Sequence, residues 1–266
     1  MSEAIQELLQ ERKMTDLSRM LREMNPADIA ALLADMPEDA LAVVFRLLPK
    51  ETAAEIFVEM DSDAQEALIH AFSDIELKRI LEELYADDTV DLIEEMPANV
   101  VKRILKNIDP SVRSSVNELL RYPDASAGSL MTIEYVNLKR DTTVAQAFEH
   151  IRQTGVDKET IYTCYVTDEN RVLIGVVTAK TLLLSPSESK IGDIMEPYPI
   201  SVGTMDDQEE VAHAFEKYDF LALPVVDREN RLVGIITVDD AIDVIQQENT
   251  EDFAKMAAIS PPEEWP

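Results

Sequence analysis

The residues best suited to bind a ligand form one acidic stretch near the end of the chain, residues 237–253 (TVDDAIDVIQQENTEDF). This stretch holds six carboxylates and no lysine or arginine. Its apolar residues recur at the spacing of an amphipathic helix. At ~100° per residue, a second helix face gathers, within an arc of about 80°, Asp240, Asp243, Gln247 and Glu251. Like charges at this spacing cost ~0.2–0.5 kcal/mol per pair, which a bound cation or a basic partner would remove.

Composition limits the classes of function that the chain can have. With 266 residues, of which 46% are hydrophobic and 29% charged, the chain is long enough for two folded domains. Its formal charge of −29 argues against nucleic acid as a partner, because contacts with phosphate need lysine and arginine. The single cysteine, Cys164, excludes an internal disulfide and suits a reducing cytoplasm. No apolar run approaches the ~18 residues of a membrane span.

The negative charge is unevenly distributed along the chain. Residues 1–121 carry 26 acidic and 13 basic side chains, and residues 122–190 carry 9 and 7. Residues 191–266 carry 18 acidic and only 4 basic side chains. The charge is therefore concentrated in the last part of the chain, which favours a cation or a basic partner there.

Residues 1–121 are predicted to form an all-α repeat domain. After an initial helix predicted over residues 1–24, a unit of about a dozen residues recurs, opening with Pro, Asp or Ser and continuing with apolar residues at helical spacing. Helices of two to three turns are marginal alone, so they should stack into a solenoid-like superhelix. The pair Asp87 and Asp91, spaced i, i+4, is by itself most simply a solvated helix face.

Residues 130–184 and 193–248 are predicted to be two copies of one unit. YVTDENRVLIGVVTAKTLL matches PVVDRENRLVGIITVDDAI at an offset of 59. VAQAF (144–148) matches VAHAF (211–215) at an offset of 67, so the first copy carries about eight extra residues. Each copy predicts the order strand–helix–strand–turn–strand–helix. One copy alone would leave a sheet face bare, so the two copies should pack on each other.

The two copies resemble tandem cystathionine-β-synthase-type (CBS) modules, whose signature is a Gly-h-h-Thr-x-x-Asp turn from a strand into a helix. Gly234, Thr237 and Asp240 fit this signature. The first copy has Thr178 but carries Thr181 where the Asp should be. In CBS modules the Thr and the Asp commonly hold nucleotide phosphate and ribose. The resemblance therefore implies nucleotide binding at Thr237, Asp240 and Thr178, with a weaker site in the first copy.

Nearly the whole chain resembles the cytosolic region of the MgtE-type magnesium transporter family. The helical repeats, the connector YPDASAGSLMT and the segment NTEDFAKMAA after the second copy carry this resemblance. It implies an α+β fold, in which an all-α superhelical repeat domain precedes a tandem pair of α/β CBS domains. The implied parts are a helical domain (1–121), a connector (122–132), a first CBS domain (133–190), a second CBS domain (191–249) and the start of a connecting (plug) helix (250–266).

Members of this family bind Mg²⁺ at acidic interfaces among these parts, and the matching positions are implied ligands. They are Glu55, Asp87 and Asp91 in the helical domain, Asp207, Glu216, Asp219, Asp240 and Asp243 in the second CBS domain, and Glu248, Glu251 and Asp252 beside the plug helix. Mg²⁺ prefers oxygen ligands and keeps several waters, which suits scattered carboxylates. Occupied sites would clamp acidic surfaces together, and empty sites would let them separate, which is a two-state switch.

The leading hypothesis is therefore a Mg²⁺-sensing regulatory region, not an enzyme, that closes a transporter pore when Mg²⁺ is abundant. The resemblance implies Mg²⁺ and an adenine nucleotide such as ATP as ligands. It also implies a homodimer formed through the CBS domains, and the protein's own transmembrane pore domain as a partner. The region is expected at the cytoplasmic face of the cell membrane. This fragment, which stops where the membrane part would follow, is expected to be soluble.

Two other classes of function stay open at this point. An adenine-nucleotide sensor is supported by Thr237 and Asp240 and opposed by the incomplete signature of the first copy. An interaction scaffold would use the surface of the helical repeats and would need no bound ion. A hydrolase has the least support, because the carboxylates are accompanied by no positioned nucleophile, histidine partner or glycine-rich phosphate loop.

Overall fold

The structure is a computed structural model that describes residues 5, 7–9, 11–34 and 36–256. The described residues form two compact units. One unit consists of residues up to 84 together with 88–116, and the other of 85–87 together with residues from 117 onward. Helices make up the first unit, whereas the second contains helices and two sheets. Within the described ranges, no helix is both long and apolar enough to cross a lipid bilayer.

Short helices follow one another through the first part of the chain, as the repeat predicts. The helices are α1 (Met14–Arg22), α2 (Pro26–Ala34), α3 (Glu38–Phe45), α4 (Lys50–Val58), α5 (Ser62–Ala71), α6 (Asp74–Leu81), α7 (Ala86–Glu95), α8 (Ala98–Asn107) and α9 (Pro110–Leu119). Helices α2 to α8 begin at the first residue of a predicted unit or one residue after it. Helices two positions apart pack together, namely α2 with α4, α3 with α5, α4 with α6, and α6 with α8.

The residues that open the repeat units cap the helices, which explains why the helix starts could be predicted. Ser73 and Glu76 form a capping box at the start of α6, and the Asp61 carboxylate accepts a hydrogen bond of 2.8 Å from the backbone N–H of Ala64 at the start of α5. Proline holds the cap position of α3, α4 and α8. The first N–H groups of a helix have no partner within the helix, so a missing N–H there is tolerated.

The predicted initial helix over residues 1–24 is wrong, because the described part of this range contains a turn. Arg12 has a φ of 56°. The N–H groups of Arg12 and Lys13 donate to the carbonyls of Leu9 and Leu8 at 3.1 and 2.9 Å. These two bonds form a Schellman-type helix end, where glycine is usual. The range contains neither glycine nor an internal proline at this point, so the sequence carries no signal for the turn.

Two sheets form the centre of the second unit, and each copy has the predicted element order. In both sheets the first two strands are parallel and the following pairs are antiparallel. The first sheet contains β1 (Tyr135–Lys139), β2 (Thr160–Thr167), β3 (Leu173–Thr178) and β4 (Glu196–Pro197), and the second contains β5 (Val202–Gly203), β6 (Ala222–Val226) and β7 (Leu232–Thr237). The helices are α10 (Val144–Thr154), α11 (Ala179–Leu184), α12 (Ile191–Ile194), α13 (Gln208–Tyr218) and α14 (Val238–Met256).

The leading segment of each copy, meaning its first few residues, pairs with the sheet of the other copy. Thr132, near the start of the first copy, exchanges two backbone hydrogen bonds of 2.8 and 2.9 Å with Ile235 of β7. In the same way β4, near the start of the second copy, pairs with Gly175 and Val176 of β3. The exchange ties the two copies together and places the connector on the second copy.

This exchange requires the glycine of each CBS signature. A Cβ at Gly234 would lie 2.6 Å from the Met131 sulfur and 2.7 Å from the Thr132 carbonyl oxygen. A Cβ at Gly175 would lie 2.6 Å from the Met195 sulfur. All three distances are shorter than van der Waals contact, so only glycine lets the leading segment approach the strand.

The helices α10 and α13 occupy equivalent places in the two copies and begin 64 residues apart in the sequence. The local match of VAQAF with VAHAF instead predicts an offset of 67 residues. The Val144 N–H donates to the Ser189 carbonyl at 2.9 Å, and the Gln208 N–H makes the equivalent 2.9 Å bond to the Ala125 carbonyl. The strand pairs keep the predicted offset of 59. Apolar positions recur every three or four residues in a helix, so a sequence match can slip by one turn.

The two copies pack on each other, as predicted from the bare sheet face. Leu173 donates its N–H to the Asn230 carbonyl, and Leu232 donates to the Arg171 carbonyl, both at 3.0 Å. A buried cluster spans both sheets and consists of Tyr165, Leu173, Ala222, Val226, Leu232 and Ile235. The predicted α+β fold is therefore confirmed.

The variant Gly234→Ala should destabilise the second unit by about 1–3 kcal/mol, because the new methyl group would overlap Met131 and the backbone of Thr132. Differential scanning calorimetry of the full chain measures this loss. The control is Gly203→Ala, where a Cβ would have its nearest neighbour at 3.3 Å, in the Asp206 side chain. Equal melting temperatures for the two variants would show that the exchange does not depend on Gly234.

Candidate functional site

The candidate site is built around the turn where β7 leads into α14. Thr237 ends the strand and is buried, and its hydroxyl donates to Asp240 Oδ2 at 2.7 Å. The Thr237 N–H lies 3.4 Å from the same oxygen. A carboxylate that accepts from the backbone N–H three residues earlier is one half of a capping box, so the signature residues also have a structural role.

Asp240 is a carboxylate in an unfavourable position for a negative charge. Burial raises its pKa from the usual 3.8 to about 6. The hydrogen bond from Thr237 opposes this shift, and the charges of Asp239 and Asp243 add to it. Burial and the charge of Asp239 also raise the pKa of Asp243. Three carboxylates within two turns of one helix therefore repel one another around a partly desolvated member.

The same turn in the first copy lacks a carboxylate. Thr178 accepts a hydrogen bond of 3.1 Å from the Thr181 N–H, and the two hydroxyls lie 3.0 Å apart. The turn geometry is thus kept, but this turn has no carboxylate to accept from a ribose diol or to bind a cation. Among the signature residues predicted to bind nucleotide, Thr237 and Asp240 are brought together, and Thr178 lies in the other copy.

The other candidate ligands in the second copy lie at the two ends of α13. Asp207 caps its N-terminus and accepts a hydrogen bond of 2.9 Å from the Glu209 N–H. Asp219 ends the helix in the left-handed conformation, with a φ of 54°. The Glu216 carboxylate lies 3.8 Å from His213 Nδ1. These acids are exposed, and each has a local structural partner or role.

Glu248 of α14 has a partner that the sequence did not suggest. The Gln208 side chain is buried and donates its Nε2 to Glu248 Oε1 at 2.8 Å. Asp239 also belongs to the acidic group but was not among the predicted ligands, although its position beside Asp240 could have indicated it. The backbone at Glu251 and Asp252 belongs to α14, but their side chains lie outside the described residues.

The candidate ligands of the helical domain lie on two helices. Glu55 is exposed on α4, and Asp87 and Asp91 lie one turn apart on α7. Nowhere in the described parts of the chain do three His, Cys, Asp or Glu side chains converge closely enough to hold a metal ion. The predicted metal ligands therefore stay a prediction. The acidic residues that act on the charge of Asp240, Asp239 and Asp243, are nevertheless carboxylates, whose oxygens are the ligand type that Mg²⁺ prefers.

Comparison with known families matches almost all of the chain. The model of the MgtE intracellular N domain matches residues 24–125, and the model of the CBS domain matches residues 127–188 and 191–247. "Magnesium transporter MgtE" of Thermus thermophilus is 42% identical over 181 residues, which are 66% of this chain and 40% of that protein. The protein of the same name from Bacillus subtilis is 36% identical over 200 residues, 75% of this chain and 44% of that protein. The chain thus spans less than half the length of these curated relatives.

Solved structures that resemble this chain are also parts of magnesium transporters. The crystal structure of the cytosolic domain of the Mg²⁺ channel MgtE in complex with ATP has a TM-score of 0.86 and 39% identity, and the match covers 92% of this chain and 100% of that one. The soluble part of a magnesium transporter has a TM-score of 0.85 and 29% identity, covering 93% of this chain and 97% of that one.

A more distant sequence relative is an enzyme. Inosine-5′-monophosphate dehydrogenase of Helicobacter pylori is 26% identical over 159 residues, 57% of this chain and 30% of that enzyme.

The raised pKa of Asp240 predicts how the stability of the second unit depends on pH. Since the folded state binds this proton more tightly than the unfolded state, the added stability is complete below about pH 4 and is lost as the pH rises through about 6. At neutral pH the charge should therefore cost ~1–3 kcal/mol. Asp240→Asn keeps an acceptor for Thr237 and should recover this stability.

Urea unfolding of the wild type and of Asp240→Asn between pH 4.5 and 7.5 measures the effect. Other carboxylates titrate in both proteins, so the difference between the two unfolding free energies isolates Asp240. The matched control is Glu188→Gln, which removes an exposed carboxylate of the same unit. A difference that is independent of pH would contradict the assignment.

Proposed function

Because this chain belongs to the MgtE family, with the intracellular N domain and two CBS domains, we propose that it is a Mg²⁺-responsive regulatory region of a magnesium transporter. Mg²⁺ bound by its acidic side chains favours a compact state, and in the full transporter that state closes the pore. The chain acts by binding and not by catalysis. The observation that carries the proposal is the buried carboxylate of Asp240, whose charged form is destabilised by the charges of Asp239 and Asp243.

A divalent cation would reverse the electrostatics of this group. The charges of Asp239 and Asp243 destabilise the charged form of Asp240, and the charge of Asp239 destabilises that of Asp243. Burial adds to this cost at both Asp240 and Asp243. A bound Mg²⁺ supplies two positive charges and accepts carboxylate oxygens directly or through water. It would lower the pKa of Asp240 and convert repulsion into attraction. Without a cation the acidic group is destabilised by its own charges. The strength of this repulsion therefore influences the free Mg²⁺ concentration at which the ion binds.

The other candidate ligands form two groups. Those in the second CBS domain and α14 would add negative charge around the same helix; they are Asp207, Glu216, Asp219, Glu248, Glu251 and Asp252. Those in the helical domain would let the ion act on both units; they are Glu55, Asp87 and Asp91. The distribution of charge supports this, since 18 of the 53 acidic residues lie in the last 76 residues.

Binding of an adenine nucleotide is a second candidate function. It is supported by the hydrogen-bonded pair Thr237 and Asp240, and by a relative of known structure that is a complex with ATP. A carboxylate that accepts from ribose hydroxyls and a threonine hydroxyl that reaches phosphate would hold such a ligand in the second copy. The first copy, with Thr178 and Thr181, offers hydroxyl groups only.

The partners proposed for the full protein follow from the family. They are its own transmembrane pore domain and a second copy of the chain, bound through the CBS domains. The region would then work at the cytoplasmic face of the cell membrane.

Small-angle scattering and limited proteolysis of the full chain, titrated with Mg²⁺, Ca²⁺ or ATP, test the proposal. Millimolar Mg²⁺ should reduce the radius of gyration and slow cleavage. Asp240→Asn combined with Asp243→Asn should raise the Mg²⁺ concentration needed roughly tenfold, because the charge of the ligand set controls affinity. Asp193→Asn, an exposed acid of the same unit, should have no effect.

Asp87→Ala combined with Asp91→Ala should abolish the compaction but leave the CBS domains folded. Protection that this pair leaves unchanged would remove the helical domain from the ligand set. If Mg²⁺ neither compacts nor protects the wild-type chain, the sensing function is wrong. Protection by ATP alone would favour the nucleotide function instead.

A further inference from the structure

The connector that follows the helical domain is bound to the second copy at the start of α13. The Ala127 N–H donates to the Asp206 carbonyl at 2.8 Å, and the Gly128 N–H donates to the Thr204 carbonyl at 3.0 Å. On the other side the Gln208 N–H donates to the Ala125 carbonyl at 2.9 Å. Connector residues 125–128 thus form a short ladder with the segment that leads into α13.

Gln208 is bonded to two separate elements at once. Its backbone N–H holds the connector, and its side-chain amide donates to Glu248 Oε1 of α14 at 2.8 Å. The residue is only 8% exposed. A buried amide that donates to a carboxylate makes a charge-assisted hydrogen bond, and losing it leaves the amide without a partner. The same residue therefore contacts both the connector and the part of α14 that carries Glu248.

Comparison with the first copy indicates that the fold does not require this arrangement. At the offset of 64 the counterpart of Gln208 is Val144, which is 1% exposed and makes the same backbone bond to a leading segment. The first copy has no counterpart of Glu248, since α11 ends at Leu184 whereas α14 continues to Met256. Both the amide and the carboxylate are additions to the second copy.

We propose that Gln208 is a positioning residue that couples the connector to the acidic helix α14 through its hydrogen bond to Glu248. Displacement of the connector loosens the ladder at Gln208, and the Gln208 side chain transmits this change to α14. The coupling needs no bound ion, so it goes beyond the proposed sensing function. It gives the helical domain, through the connector, a covalent and hydrogen-bonded route to the part of α14 that carries Glu248.

Hydrogen–deuterium exchange of the full chain without Mg²⁺, in a double-mutant cycle, tests this coupling. Gly128→Ala loosens the connector, because a Cβ there would lie 2.5 Å from the Tyr122 ring and 2.8 Å from the Thr204 carbonyl oxygen. In the wild-type background this change should speed exchange roughly tenfold both in the connector and at residues 244–250. In the Gln208→Val background it should speed exchange in the connector only.

Two further variants keep the test independent of folding. Glu248→Leu removes the acceptor from the other side and should uncouple the two segments as Gln208→Val does. Gln153→Val is the matched control, because Gln153 donates to Glu149 at 2.7 Å on an exposed helix face of the first copy. It should leave the response of residues 244–250 to Gly128→Ala intact. If Gly128→Ala changes exchange at 244–250 equally with and without Gln208, or in neither background, the coupling does not exist.

Discussion

The exchange of leading segments between the two copies is the constraint on which the second unit depends. Met131 and Thr132 reach the second sheet only because residue 234 has no side chain, and Met195 reaches the first sheet in the same way at Gly175. Three residues after Gly234, the strand ends at Thr237, and the hydroxyl of Thr237 fixes Asp240. The strand that ends at the candidate site is therefore paired with a segment from the start of the first copy, which is far away in the sequence.

The charge of α14 is opposed to the stability of the fold that carries it. The first copy starts its last helix with two hydroxyl groups at the same turn, so a carboxylate at Asp240 is not needed for folding. At Asp240 burial and neighbouring charges raise the pKa, which means that the folded state favours the neutral form. A group that is kept at a cost to stability is often functional, and a cation is the ligand that would relieve this particular cost.

Local signals predicted most of the fold, and long-range contacts account for what they missed. The helix starts after Pro37, Asp61 and Ser73 could be predicted because capping depends on residues within one turn. The turn at Arg12 could not, because no glycine marks it. The one-turn slip between α10 and α13 arose because helical periodicity makes neighbouring registers similar. The Gln208–Glu248 bond joins residues 40 positions apart, and nothing in either neighbourhood indicates it.

Proton release on Mg²⁺ binding tests the central claim most directly. If Mg²⁺ binds at Asp240, it must displace the proton that this carboxylate holds near its pKa of about 6. Titration calorimetry at pH 6.0, in two buffers of different ionisation enthalpy, measures this release. Roughly half a proton per bound ion is expected from Asp240, and the Asp240→Asn variant should release correspondingly less. Binding with the same enthalpy in both buffers would contradict a site at Asp240.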